Sequence, residues 1–177
     1  MKEFVSMFLI GISLSMDTFS LSLSISPFLK SEKYVNLIPF VVGLFHFLLP
    51  LLSSWVGFYI LKYFNFTTNK ILGIILIVLA FNMLVNYFKK NEIKLTLNLL
   101  GIMIFALSVS IDSLSVGFGI NSLTKNPLVA SLIFAGCSFS FTYLGLIIGK
   151  YCKKFLGGIA NLIGIILLLI LGVIHLF

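Results

Sequence analysis

Hydrophobic positions in this chain fall into six long runs, near residues 4–25, 35–61, 71–87, 95–120, 128–149 and 155–177, with short polar segments between them. Each run is close to the roughly 20 residues that a helix needs to cross the hydrocarbon core of a bilayer. The pattern predicts an all-α integral membrane protein of six transmembrane helices, with no soluble domain. The most polar break is Lys89-Lys-Asn-Glu-Ile-Lys94. It is too short to fold alone and divides the chain into two units, 1–88 and 95–177, of three helices each.

The apolar runs are interrupted in a repeated way. Leu14-Ser-Met-Asp17-Thr-Phe-Ser-Leu-Ser-Leu-Ser-Ile25 in the first run resembles Val109-Ser-Ile-Asp112-Ser-Leu-Ser-Val-Gly-Phe-Gly-Ile120 in the fourth. Further matches pair Gly43 with Gly136 and Leu72-Gly-Ile-Ile-Leu76 with Ile163-Gly-Ile-Ile-Leu167, at offsets of 95, 93 and 91 residues. Because each unit has an odd number of helices, the second enters the membrane from the opposite side. The expected architecture is therefore an inverted repeat, which in secondary transporters places the binding site at the repeat interface near mid-membrane.

Composition agrees with the membrane reading. With 60% hydrophobic residues, 10% charged residues and a mean hydropathy of +1.19, the chain has too little polar surface to coat a water-soluble globule. The formal net charge of +7 does not indicate a nucleic-acid partner, because lysines on membrane proteins set topology. Lys30, Lys33, Lys89, Lys90, Lys94, Lys150, Lys153 and Lys154 lie in the first, third and fifth loops, and Lys2, Lys62, Lys70 and Lys125 lie on the other side. That bias puts both termini outside. The apolar N-terminus lacks a small-x-small cleavage site before Asp17 and reads as a retained first helix. Cys137 and Cys152 read as free thiols, and Asn65-Phe-Thr67 as a chance match to a glycosylation acceptor.

Candidate chemistry centres on the aspartates, two of only five acidic residues. A carboxylate at mid-membrane depth costs about 3 kcal/mol or more unless it is paired, protonated, hydrated or bound to a cation. No lysine or arginine falls at that depth, so a mobile cation or a proton is the remaining partner. At 100° per residue, Ser6, Ser13, Asp17, Ser20 and Ser24 share one face of the first helix, and Gly101, Ser108, Asp112, Ser115 and Gly119 share one face of the fourth. Small faces let helices approach closely in lipid, so helices one and four are expected to cross with the aspartates at the crossing. His46 shares a face of helix two with Pro39, Gly43, Pro50, Ser53 and Gly57, and is a candidate ligand or proton relay. His175 reads as interfacial. Asn82 and Asn161 could each add an amide oxygen. The candidate metal site is thus Asp17, Asp112 and His46, supported by Ser13, Ser20, Ser108, Ser115, Asn82 and Asn161. Oxygen donors suit hard divalent cations, and one imidazole shifts the preference towards Mn²⁺. No phosphate-binding loop is present, so ATP hydrolysis and a resident cofactor are not expected.

Ser15-Met-Asp17, Ser110-Ile-Asp112-Ser-Leu-Ser-Val-Gly117 and Gly43-Leu-Phe-His-Phe-Leu-Leu-Pro50 preceding Trp55 resemble the bacterial MntP-type manganese efflux pumps, relatives of the LysE-like exporters. The resemblance covers nearly the whole chain. It implies Mn²⁺, as transported substrate, leaving the cell across the cytoplasmic membrane, with Asp17 and Asp112 matching the family's essential aspartates. Three positions depart from the family pattern: His46 replaces a usual Gln or Glu, Asn82 a usual basic residue, and Asn161 an acidic one. Two other functions compete. A LysE-like exporter of a small organic or cationic solute would want a roomier cavity. An intramembrane aspartyl protease would want a Gly-x-Gly-Asp motif, which the chain lacks. Oligomeric state is left open by the sequence, a homo-oligomer included.

Overall fold

The computed structural model describes residues 2–26, 29, 32–64, 68–89, 99–150 and 155–176; within them, the side chains of 2, 24, 60–64, 68–72, 82, 83, 86, 87, 89, 122, 155–161, 164 and 175 are not described. The linker at 90–98, the triplet at 65–67 and Cys152 lie outside the described residues, as do the side chains of Ser24 and His175.

Six α-helices account for nearly all of it: α1 (Lys2–Ile25), α2 (Glu32–Phe64), α3 (Thr68–Lys89), α4 (Leu99–Leu123), α5 (Pro127–Gly149) and α6 (Phe155–Leu176), with no strand among the described residues. In hydrocarbon, a helix satisfies its own backbone groups, and the sequence offers little else to satisfy them. Of the described residues, Glu3–Leu23, Glu32–Tyr59, Leu99–Asn121 and Pro127–Gly149 are long and apolar enough to cross a membrane, and α6 adds a shorter apolar stretch, Ile165–Ile174. Many serine and threonine hydroxyls, though not those of Ser22, Ser131 and Thr142, are tied down within their helices: Ser15 donates to the Gly11 carbonyl at 2.6 Å and Ser113 to that of Ser110 at 2.6 Å. This removes the cost of an unpaired hydroxyl in lipid. α2 continues through Pro39 and Pro50. Neither proline has an N–H to give, so the carbonyls of Val35 and His46 lose their helical partners. Between α4 and α5 the turn is short: the Asn126 N–H donates to Thr124 Oγ1 at 3.1 Å, and Pro127 opens α5, where a missing N–H costs nothing.

The helices lie in two rows. α1 packs between α5 and α6, and α4 packs between α2 and α3; the rows meet where α2 touches α5 and α3 touches α6. α1 and α4, the central helices, meet only over a short stretch. The closest approaches are made by other small residues, between α1 and α5 and between α2 and α4. A Cβ on Gly145 would stand 2.7 Å from the Phe19 carbonyl oxygen and one on Gly149 2.7 Å from that of Leu23, so α1 and α5 touch backbone to backbone. Across the other row, a Cβ on Gly57 would stand 2.5 Å from the Phe118 carbonyl oxygen, and one on Gly117 would fall onto the Ser53 hydroxyl. In lipid, such contact distances replace the hydrophobic effect as the source of helix association.

Two hydrophobic clusters fill the interior. One joins Met7, Ile10 and Leu14 of α1 to residues of α3, α4, α5 and α6, the fully buried Phe134 among them; the other joins Val35, Ile38 and Val42 of α2 to Ile102, Phe105, Ala106 and Val109 of α4. Much of the outer surface is apolar, with Phe40, Trp55, Phe81, Ile111 and Ile174 exposed, as suits a molecule solvated by acyl chains. Gly43 is buried against Ala135 and Phe139, whereas Gly136 is exposed with nothing within 4 Å of a built Cβ. The two glycines matched in the sequence therefore occupy unlike surroundings. Cys137 is a free, buried thiol against Gly11.

Candidate functional site

Asp17 lies near the middle of α1 and Asp112 near the middle of α4, both half-buried. Asp112 is within electrostatic reach of Asp17, so the two central helices bring their carboxylates into one region. Like charges repel strongly where the dielectric is low. No hydrogen bond or ion pair to a described residue relieves Asp17. Asp112 is steadied by its own helix, since the Ser113 N–H donates to Asp112 Oδ1 at 2.7 Å. One carboxylate is thus held by its own helix, and the other has no hydrogen-bond partner among the described residues.

The supporting serines differ in accessibility. Ser13 is buried and donates to the Leu9 carbonyl at 2.8 Å; Ser108 is exposed and donates to the Ile104 carbonyl at 2.8 Å. In each case the oxygen keeps lone pairs that a cation could use. Ser20 is buried and Ser115 half-buried. The side chains of Asn82 and Asn161 lie outside the described residues.

His46 is placed differently. Its side chain is fully buried, with Nδ1 at 3.1 Å from the Val42 carbonyl oxygen and 2.8 Å from Ser110 Oγ. A carbonyl only accepts, so Nδ1 carries the proton and Nε2 presents a bare lone pair, which finds no hydrogen-bond partner among the described residues. Ser110 precedes Asp112 by two residues, about 200° around the helix, so His46 packs behind α4, away from the Asp112 face. Among the described residues, no group of three His, Cys, Asp or Glu side chains could hold a metal ion. Asp17 and Asp112 lie within electrostatic reach of each other, and His46 meets α4 through Ser110 instead.

Several polar contacts between helices escaped the face-by-face reading. Ser15 and Ser138 hydroxyls are 3.2 Å apart, Ser26 donates to the Leu146 carbonyl, and Asn121 Nδ2 donates to the Ser54 carbonyl at 2.8 Å. Ser15 and Ser110 belong to the duplicated motif but lie off the aspartate face.

Two carboxylates with hydroxyl oxygens nearby form a hard-oxygen environment in which water would complete the shell of a divalent cation. The class so defined is an all-helical, multi-pass membrane protein with an acidic pair between its two central helices. Comparison with known proteins narrows it. Residues 29–176 match the family described as "Putative manganese efflux pump". The chain is similar to proteins named "Putative manganese efflux pump MntP" from Shouchella clausii, at 32% identity over 173 residues (97% of this chain, 96% of the relative), and Geobacillus thermodenitrificans, at 30% over 176 residues (99% and 96%). A third, from Bacillus pumilus, is 28% identical over 176 residues (99% and 96%). No solved structure matches the chain. The chain belongs to the MntP family.

Proposed function

We propose that this protein is a secondary exporter of a divalent cation, Mn²⁺ being the substrate that the names of its relatives indicate, and that Asp17 and Asp112 bind the ion between α1 and α4. The observation that carries the reading is the electrostatic coupling of two carboxylates on the separate central helices, one of them with no hydrogen-bond or ion-pair partner among the described residues.

The architecture we propose is six spans in two inverted repeats. Contacts that recur at fixed offsets support it. Positions on α1 correspond to positions 95 later on α4, and positions on α2 to positions 92 later on α5. With those offsets, Ser26 to the Leu146 carbonyl becomes Asn121 to the Ser54 carbonyl, Ser15 to Ser138 becomes Ser110 to His46, and the Gly149–Leu23 approach becomes Gly57–Phe118. His46 then corresponds to Ser138, a residue of the interhelical contact, which favours a strut between α2 and α4 over a metal ligand.

Expelling a divalent ion from a cell with a negative interior costs about 4.6 kcal/mol at 100 mV. Exchanging it for two protons, one per carboxylate, moves no net charge and removes that cost. Protons and metal compete for the same oxygens, so metal affinity falls as pH falls. In proteoliposomes, Mn²⁺ efflux is expected to acidify the interior and to stop when nigericin collapses the pH gradient with the membrane potential clamped. Efflux that continues unchanged rules out proton exchange. Asp17→Asn and Asp112→Asn are expected to lower efflux at least 100-fold with normal membrane insertion; either variant transporting at the native rate removes the shared site.

A further inference from the structure

Four buried side-chain atoms find no hydrogen-bond partner among the described residues: Ser22 Oγ, His46 Nε2, Ser131 Oγ and Thr142 Oγ1. Two of them, Ser22 Oγ on α1 and Thr142 Oγ1 on α5, fall at one spot. The two helices run in the same direction, since Ser15 meets Ser138, Phe19 meets Gly145 and Leu23 meets Gly149 in turn. Ser22 stands two turns beyond Ser15 on the same face of α1, and Thr142 one turn beyond Ser138 on the same face of α5. A Cβ built on Gly145, the next turn after Thr142, would lie 2.9 Å from Ser22 Cβ. The two hydroxyls are therefore neighbours across the α1–α5 contact, and both residues are 0% exposed.

Either hydroxyl had a local way to be satisfied. Ser13, Ser15 and Thr18 of α1 each donate to a carbonyl of the preceding turn; Ser22 and Thr142 do not. A buried hydroxyl without a partner is destabilising, so two that face each other and both forgo the local bond point to something held between them. Ser138, one turn before Thr142, adds a third group. Ser15 gives its proton to the Gly11 carbonyl, so across their 3.2 Å contact Ser138 is the donor and keeps its own lone pairs.

The other half of the chain shows the same contact without hydroxyls. By the offsets of the repeat, Ser22 corresponds to Gly117 and Thr142 to Pro50, and these lie directly against each other: a Cβ on Gly117 would stand 2.5 Å from the Pro50 carbonyl oxygen. This correspondence rests on the proposed inverted repeat; the burial of Ser22 and Thr142 and the Gly145 contact do not.

We infer that the α1–α5 contact binds an internal water molecule between Ser22 and Thr142, while the equivalent α2–α4 contact is dry. Hydroxyls both donate and accept, and an internal water makes about two to four hydrogen bonds to such groups. A cation fits poorly, because neutral hydroxyls do not replace its hydration shell and Asp17 lies about 200° around α1 from Ser15. The water is thus separate from the acidic pair. It joins α1 to α5 through an exchangeable molecule where α4 and α2 meet backbone to side chain.

The test compares Ser22→Ala, Thr142→Val and the double variant of the full chain in detergent. Each single change strands the water and the opposite hydroxyl, and is expected to lower the melting temperature by about 2–4 °C; the double variant should fall no further than the lower of the two. Singles that leave the melting temperature unchanged or raise it, as removal of an unpaired buried hydroxyl would, overturn the water. A melting temperature that rises with Na⁺ or K⁺ at fixed ionic strength in the native chain, and not in the double variant, puts a cation there instead. A second readout does not depend on stability. The rings of Phe19 and Phe141 meet edge to face beside the spot, and radiolysis of a bound water hydroxylates nearby rings. Their labelling is expected to drop at least fivefold in the double variant and to persist in Thr142→Ser, which keeps the hydroxyl. Equal labelling in the native chain and the double variant overturns the inference. Neither readout depends on transport, so failure here leaves the exporter standing, and an inactive Asp17→Asn leaves the water in place.

Discussion

The two aspartates look interchangeable in the sequence and are not so in the structure. Asp112 is fixed by the Ser113 N–H, and Asp17 has no such tether. Lengthening the side chain by one methylene should therefore matter more at position 112, where it moves the carboxylate off its donor. Asp17→Glu is expected to keep a measurable fraction of Mn²⁺ efflux, and Asp112→Glu to lose at least tenfold more, measured side by side in proteoliposomes. His46→Gln should retain most activity, because an amide can still bond the Ser110 hydroxyl and hold α2 to α4; abolished efflux would restore His46 as an obligatory ligand. The aspartates were legible because their surroundings are written twice in the chain. The position of His46 was not, since the face of one helix does not tell which neighbour that face will meet.

At the scale of the helices, the small residues sort into those that carry a close contact and those that do not. An added Cβ on Gly117 meets Ser53 Oγ and the Pro50 backbone, with the Pro50 carbonyl oxygen at 2.5 Å, so α2 and α4 must part. Overpacking of this kind costs about 1–3 kcal/mol. Gly117→Ala is expected to lower the melting temperature in detergent and to weaken efflux. Gly136→Ala, with no atom within 4 Å, should be neutral or stabilising by up to about 1 kcal/mol, because alanine is the better helix former. Equal melting temperatures for the two variants would remove the close α2–α4 contact. Helix positions were readable from the length of the apolar runs, and α1 and α5 begin and end within a few residues of them. The partners were less readable. Serine and glycine recur on more than one face of α1 and α4, and the acidic faces drew attention while the faces opposite them carried the packing. The shift of one residue between the 93-residue match of the glycines and the 92-residue match of the contacts has the same origin, since glycine is common enough to align by chance.

For the whole molecule, the lysine bias predicts both termini outside the cell. A cysteine added after Phe177 should react with an impermeant reagent on intact cells, and protection there until the membrane is opened would reverse the orientation. The row arrangement also bears on how the protein is made. α1 finds its backbone-to-backbone partner in α5, a helix synthesised roughly a hundred residues later, and α2 finds its own in α4. The first three helices therefore enter the bilayer with their serine and glycine faces uncovered, and the nascent chain is a client for membrane chaperones and proteases until its second half arrives. Cutting the coding sequence within 90–98 should yield two fragments that are each degraded when made alone. Made together, they should assemble by exchanging helices and recover Mn²⁺ export, as followed by fragment half-life and metal tolerance of the cells.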